Sequence, residues 1–263
     1  MLLEKKNAVI YGAGGDIGSA IAQTFAREGA SVFLAGRTLS KLDAVAKAIS
    51  NSGGVAQTAH VDVLDEQAVE AFSESVARSV GSIDICINVA NFADPGSTGK
   101  PLIEMSFESF ANPITANTRA YFLTTRAAAR RMIEKRSGVI LALTATPGRV
   151  PLPSFGGVAP AWAVLEALTR SFAVELGPLG IRVVGLRSNA IPETTVIRNS
   201  YGSRANLMGL KLEDIIAQSE SQTLLRRLPT LAEVANTAAF IASDQASAMT
   251  ATVANLSCGL LVD

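Results

Sequence analysis

The sequence predicts an α/β fold: a doubly wound parallel sheet in a single domain spanning residues 1–263. Three observations carry this. Short apolar runs alternate with helix-period segments along the whole chain. The runs are nearly continuous in apolar residues, as strands buried on both faces of a parallel sheet must be. And a glycine-rich turn, Gly12-Ala13-Gly14-Gly15, joins the first run to the first helical segment.

Residues 7–11, with Ala8, Val9 and Ile10, predict the first strand. Residues 17–28 predict a helix, because Ile17, Ile21 and Phe25 recur every four positions and share one face. Strands follow at 31–35, 54–61 and 83–88, separated by helices at 40–49 and 66–80. A loop is expected at 91–101, which holds two prolines and two glycines. A long helix is predicted over 107–136, with Pro113 a potential break because it lacks a backbone donor. A strand at 139–144, a helix at 158–176 and a strand at 181–186 come next. Residues 190–229 read as irregular or helical, a flap beside the site rather than a second domain. Thr230 and Glu233 have capping-box spacing and predict a helix over 230–243, before a last strand at 252–256.

Composition narrows the function. Hydrophobic residues make up 48% and charged ones 17%, so a large core forms without disulfides. The 23 basic and 23 acidic residues balance, which favours neither nucleic acid nor a membrane surface as partner. Cys86 and Cys258 lie in apolar stretches without metal-ligand spacing and are expected as buried, reduced thiols. The lone histidine, His60, is expected packed or hydrogen-bonded in its strand, without a role. The start of the chain has no signal-peptide pattern, and a cytoplasmic location is expected. Low charge with a mean hydropathy of +0.30 is compatible with buried subunit interfaces.

A glycine-rich turn between strand and helix lets backbone approach a pyrophosphate, and free amides at the helix start attract negative charge. Here the turn runs Tyr11-Gly12-Ala13-Gly14-Gly15-Asp16-Ile17-Gly18. It resembles the Thr-Gly-x-x-x-Gly-x-Gly turn of short-chain dehydrogenase/reductases, with Tyr11 for the threonine and Asp16 for the middle glycine. The resemblance covers essentially the whole chain and implies a Rossmann-type fold, a nicotinamide dinucleotide and an oxidoreductase. It implies cofactor contacts at Gly12, Gly14, Asp16, Ile17 and Gly18. A carboxylate at position 16, about 5 Å from a phosphate, would cost roughly 1–3 kcal/mol, unless it points away or caps the following helix. Where the family carries an acidic residue for NAD, this chain has Gly36 followed by Arg37, which implies NADP through a guanidinium–phosphate fork. Asp62-Val63 resembles the family's adenine contact, and Asn88-Val89-Ala90-Asn91 its Asn-Asn-Ala-Gly motif, with Asn88 and Ala90 kept. Thr194 resembles a later cofactor threonine.

The family's catalytic tetrad is Asn, Ser, Tyr and Lys. Asn117 matches the asparagine, and Thr144 and Ala145 stand where the family has Ser-Ser. Leu165-Glu166-Ala167-Leu168-Thr169-Arg170 sets the helix register, which puts Val158 at the tyrosine and Trp162 at the lysine. No slip of register restores the pair, because no tyrosine lies between Phe122 and Tyr201 and no lysine between Lys135 and Lys211. The resemblance therefore implies a nominal NADP-linked oxidoreductase with a degenerate site, Asn117 and Thr144 being its remaining catalytic candidates. Thr144, a loop tyrosine such as Tyr201, or water are alternative proton sources. The other readings are a catalytically silent nucleotide-binding or oligomer-forming protein, and a non-redox enzyme reusing the pocket. Arg187 and Arg198 could hold an anion or form surface salt bridges. The expected partners are an unidentified small molecule and copies of the chain itself, as a dimer or homotetramer.

Overall fold

The strands are β1 (Asn7–Tyr11), β2 (Ser31–Gly36), β3 (Val55–His60), β4 (Ile85–Asn88), β5 (Gly138–Ala145), β6 (Ile181–Ser188) and β7 (Val253–Leu256). They form one sheet in the order β3-β2-β1-β4-β5-β6-β7, with every neighbouring pair parallel. The helices are α1 (Asp16–Arg27), α2 (Leu39–Asn51), α3 (Glu66–Val80), α4 (Phe107–Met132), α5 (Val158–Leu176), α6 (Thr195–Met208), α7 (Leu212–Ser221) and α8 (Leu231–Ala242). This computed structural model describes residues 1–93 and 96–262, with the side chain of Leu207 excepted.

Strand periodicity of two divides the core into two layers. From β1, Ala8 and Ile10 join Ile21 and Phe25 of α1, Leu42 and Ile49 of α2, and Ala238 and Ile241 of α8. Val9 and Tyr11 point the other way, into a layer with Val69 and Val76 of α3, Leu123 and Ala127 of α4, and Ala173 and Leu176 of α5. Tyr11 thereby departs from the family's threonine without entering the carboxyl edge. Its hydroxyl pairs with Ser73 Oγ at 2.9 Å, its ring meets Phe72 edge-on, and burial pushes its pKa well above the usual phenol range.

The elements match the sequence expectations within a few residues, the helical reading of 190–229 included: that segment holds two regular helices, α6 and α7. Three details differ. The helix over Pro113 is unbroken, and Asn117 Nδ2 donates to the Pro113 carbonyl at 2.7 Å. His60 is exposed rather than packed, since β3 is the sheet's edge strand. Of the thiols, Cys86 is buried but Cys258 only half so. Among the described residues, no helix is long and apolar enough to cross a membrane.

Candidate functional site

In a parallel sheet all carboxyl ends lie along one edge, and the crevice opens where the winding direction reverses. Here that point lies between β1 and β4. The turns on either side of it touch. A Cβ on Gly12, whose φ is +80°, would lie 2.7 Å from Ala90 N, so no larger residue fits there. A Cβ on Gly18 would lie 2.3 Å from the Gly12 carbonyl oxygen, which lets α1 sit directly on its own turn. Gly15 caps α1 without offering a side chain, and Ile17 is half-buried against the core beneath the turn. Gly14 passes close to Lys41, whose Cβ would be 3.1 Å from an added one.

Asp16 is exposed, and its carboxylate neither caps α1 nor points freely into solvent. Oδ2 accepts from the backbone N–H of Thr195, the first residue of α6, at 2.7 Å. Thr194, buried, caps α6 by accepting from Ile197 N. The glycine turn and the 190–229 segment are thus bonded across the carboxyl edge.

Just past the end of β2, Arg37 is exposed, its guanidinium 5.8 Å from the centre of the Phe92 ring. Asp62 Oδ1 accepts from Leu64 N, turning the chain after β3, and Val63 is buried behind it. Asn88 is committed to structure: its Oδ1 accepts from Ala90 N, and its Nδ2 donates to Thr124 Oγ1. Asn117 joins α4 to the strand-four loop, its Oδ1 accepting from Phe92 N and its Nδ2 donating to the Phe92 carbonyl at 2.8 Å.

The other half of the edge is filled. Val158 is buried, and Trp162 is half-buried with its Cβ 3.1 Å from where a Cβ on Gly148 would stand. Ala145 offers no hydroxyl. The Thr144 hydroxyl is buried and donates to Glu166 Oε1 at 3.2 Å and to the Leu186 carbonyl at 3.4 Å. Glu166 in turn binds Arg187 through two parallel bonds of 2.7 and 2.9 Å, with both side chains only 3% exposed. Arg187 is therefore a buried partner, not a surface cation. Sequence reasoning missed Glu166 as its mate, although Glu166 and Trp162 are one helical turn apart on α5. Arg198 is exposed and donates to the Pro192 carbonyl. Tyr201 lies on α6 rather than on a loop. Tyr121, the tyrosine bordering the empty window, is buried against Thr169, and burial pushes its pKa up to about 12.

These residues fit a dinucleotide unevenly. The Gly12–Ala90 approach and the exposed Arg37 suit an adenosine end. The Asp16 carboxylate, bonded between the starts of two helices, does not suit a pyrophosphate there. No group of three His, Cys, Asp or Glu among the described residues could hold a metal ion. Two surface cavities, of 390 and 640 Å³, are lined by Lys6, Asp84 and Arg182 and by Asp65, Glu70 and Arg119 respectively.

Comparison with known proteins agrees with this architecture. The profile of a family described as enoyl-(acyl carrier protein) reductase matches residues 12–260. An uncharacterized oxidoreductase of Bacillus subtilis (strain 168), YxbG, is 33% identical over 94% of this chain and 88% of its own. Sorbitol-6-phosphate 2-dehydrogenase SrlD from Erwinia amylovora superposes with a TM-score of 0.90 at 25% identity, covering 97% of this chain and all 100% of its own. An NAD+-bound xylitol dehydrogenase does so with a TM-score of 0.89 at 25% identity, covering 97% of this chain and 98% of its own.

Proposed function

The chain belongs to the short-chain dehydrogenase/reductase family of oxidoreductases, and from that premise we infer that this member keeps a nucleotide-binding end selective for NADP(H) while lacking the family's ordinary carbonyl reduction. The observation that carries this is the chemistry of α5 and β5. Ala145, Val158 and Trp162 stand at the expected serine, tyrosine and lysine positions, and residues 145–200 contain neither a phenol nor an ammonium group. A positioned proton donor contributes about 10²–10⁴-fold to such reactions. Thr144 is a poor substitute because its hydroxyl is engaged with Glu166. Asn117, bonded to backbone at both ends of its amide, acts as a strut between α4 and the strand-four loop. We assign it no proton transfer.

Arg37 supports the preference for NADP(H). It is an exposed cation at the end of β2, beside Gly36, with no carboxylate at that position to repel a 2′-phosphate. The names of the relatives cover different substrates, so none is carried over to this chain.

Titration with NADPH and NADH, followed by cofactor fluorescence and calorimetry, tests the reading. NADPH should bind more tightly than NADH, with no turnover across a panel of ketones. Arg37→Ala should weaken NADPH about tenfold or more and leave NADH nearly unchanged, since a hydrogen bond to a charged group contributes about 1.5–3 kcal/mol. Equal loss for both cofactors would remove the role given to Arg37. Turnover at ordinary enzyme rates would overturn the reading of the catalytic centre.

A further inference from the structure

The starts of α1 and α6 converge on one side chain. Each helix is longer than three turns, and each carries the partial positive charge of its unpaired first-turn amides at the same carboxyl edge. Asp16 is the first residue of α1, and its carboxylate accepts from the first amide of α6, 179 residues away in sequence. Local capping does not explain this contact. A carboxylate in α1's first turn needs no distant partner, and Thr194 already caps α6. The base of the 190–229 segment is pinned separately, because Glu193 Oε2 accepts from Leu231 N at the start of α8, at 2.6 Å. Asp16 therefore holds the α6 end of a segment whose root is anchored elsewhere.

Proteins bind phosphates at helix starts, and here a carboxylate lies between two of them. We propose that Asp16 is a resident anion standing in for the pyrophosphate of a dinucleotide: it latches α6 onto the glycine turn, and a dinucleotide enters only when the Asp16–Thr195 bond opens. The proposal rests on the carboxyl edge being a nucleotide site, as inferred above. Two costs oppose the ligand in the latched chain, repulsion from the carboxylate and loss of the hydrogen bond to Thr195. Removing the charge relieves the first, and removing the whole side chain relieves both.

The test compares the parent protein with Asp16→Gly and Asp16→Asn. NADPH affinity is measured by calorimetry, and exchange of the Thr195 amide by hydrogen–deuterium exchange without ligand. Asp16→Gly should bind NADPH about ten- to a hundredfold more tightly and exchange the Thr195 amide about tenfold faster. Asp16→Asn keeps an acceptor oxygen, so it should gain part of the affinity and keep most of the amide protection. Should glycine loosen α1, Asp16→Ala decides in its place: NADPH affinity above that of Asp16→Asn together with faster Thr195 exchange upholds the latch, and affinity equal to that of Asp16→Asn overturns it. Binding by the variants but not by the parent upholds the latch and removes cofactor binding by the resting protein. Equal binding by all three, or unchanged Thr195 exchange in Asp16→Gly, removes the latch and leaves the nucleotide reading intact. No binding by any of them at millimolar NADPH removes both.

Discussion

Beneath the ends of β5 and β6 a charged pair sits where solvent barely reaches it. Arg187 and Glu166 meet through two bonds in a space lined by apolar strands, and Thr144 adds a third contact to the same carboxylate. Ion pairs of this kind bring little net stability over apolar residues, but breaking one strands a buried charge. Arg187→Met alone should therefore lower stability by about 3–5 kcal/mol in urea unfolding. The double change Arg187→Met with Glu166→Leu should recover most of that loss. A single change that costs no more than the double would show that neither charge is held as described. The pair also defines what lies under the expected catalytic spot: two mutually satisfied charges rather than a group poised to exchange a proton.

Among the elements, α8 shows most directly how a sequence pattern becomes stability. Thr230 accepts from Glu233 N, and the Glu233 carboxylate accepts from Thr230 N at 2.9 Å, satisfying two orphan amides at once. Arg227 adds a fork to the same carboxylate. The Arg227 hydrogen bonds first, and the Thr230 N–H second, hold the Glu233 pKa down to about 2. A depressed carboxylate contributes stability above its unfolded pKa and loses it as pH falls toward the folded one. This contribution should therefore be full above about pH 4.5 and fade between there and pH 2. Glu233→Gln should flatten that part of an acid-unfolding curve followed by circular dichroism, by a small amount because the pair is exposed. Thr230→Ala should cost about 1 kcal/mol at neutral pH. A second element, α4, illustrates the limit of local rules. Pro113 removes one backbone donor, yet the helix runs through it, and Asn117 one turn on bonds the Pro113 carbonyl.

At the scale of the whole molecule, seven parallel strands deliver their carboxyl ends to one edge, so residues far apart in sequence meet there. On the reading proposed above, a scaffold that holds the family's geometry should gain its chemistry when serine, tyrosine and lysine are placed there. Ala145→Ser, Val158→Tyr and Trp162→Lys in one chain should produce ketone reduction with NADPH that the parent lacks. The assay should be repeated with Asp16→Gly added, since the latch would otherwise mask the gain. Failure in both backgrounds would mean that the edge has changed beyond these positions.

Much of this was legible along the chain. Apolar periodicity located the elements because burial on two sheet faces leaves a continuous apolar signature in strands and a four-residue one in helices. The Thr230–Glu233 cap was legible because its partners are three residues apart. The chemistry that residues 145–200 lack was legible from residue types alone. The partner of Asp16 was not, because Thr195 lies on another helix and meets it only after the sheet has closed. The burial of Arg187 was not either: Arg187 carries the same formula on a surface or in a core, and its bond to Glu166 depends on α5 packing across β6. Sequence by itself determined the fold, the glycine turn and the lack of tyrosine and lysine in residues 145–200, because these depend on residue type and short spacing. Tertiary structure alone decided that Asp16 bridges two helix starts and that Arg187 is neutralised inside, because both are contacts between elements that only the closed parallel sheet brings together.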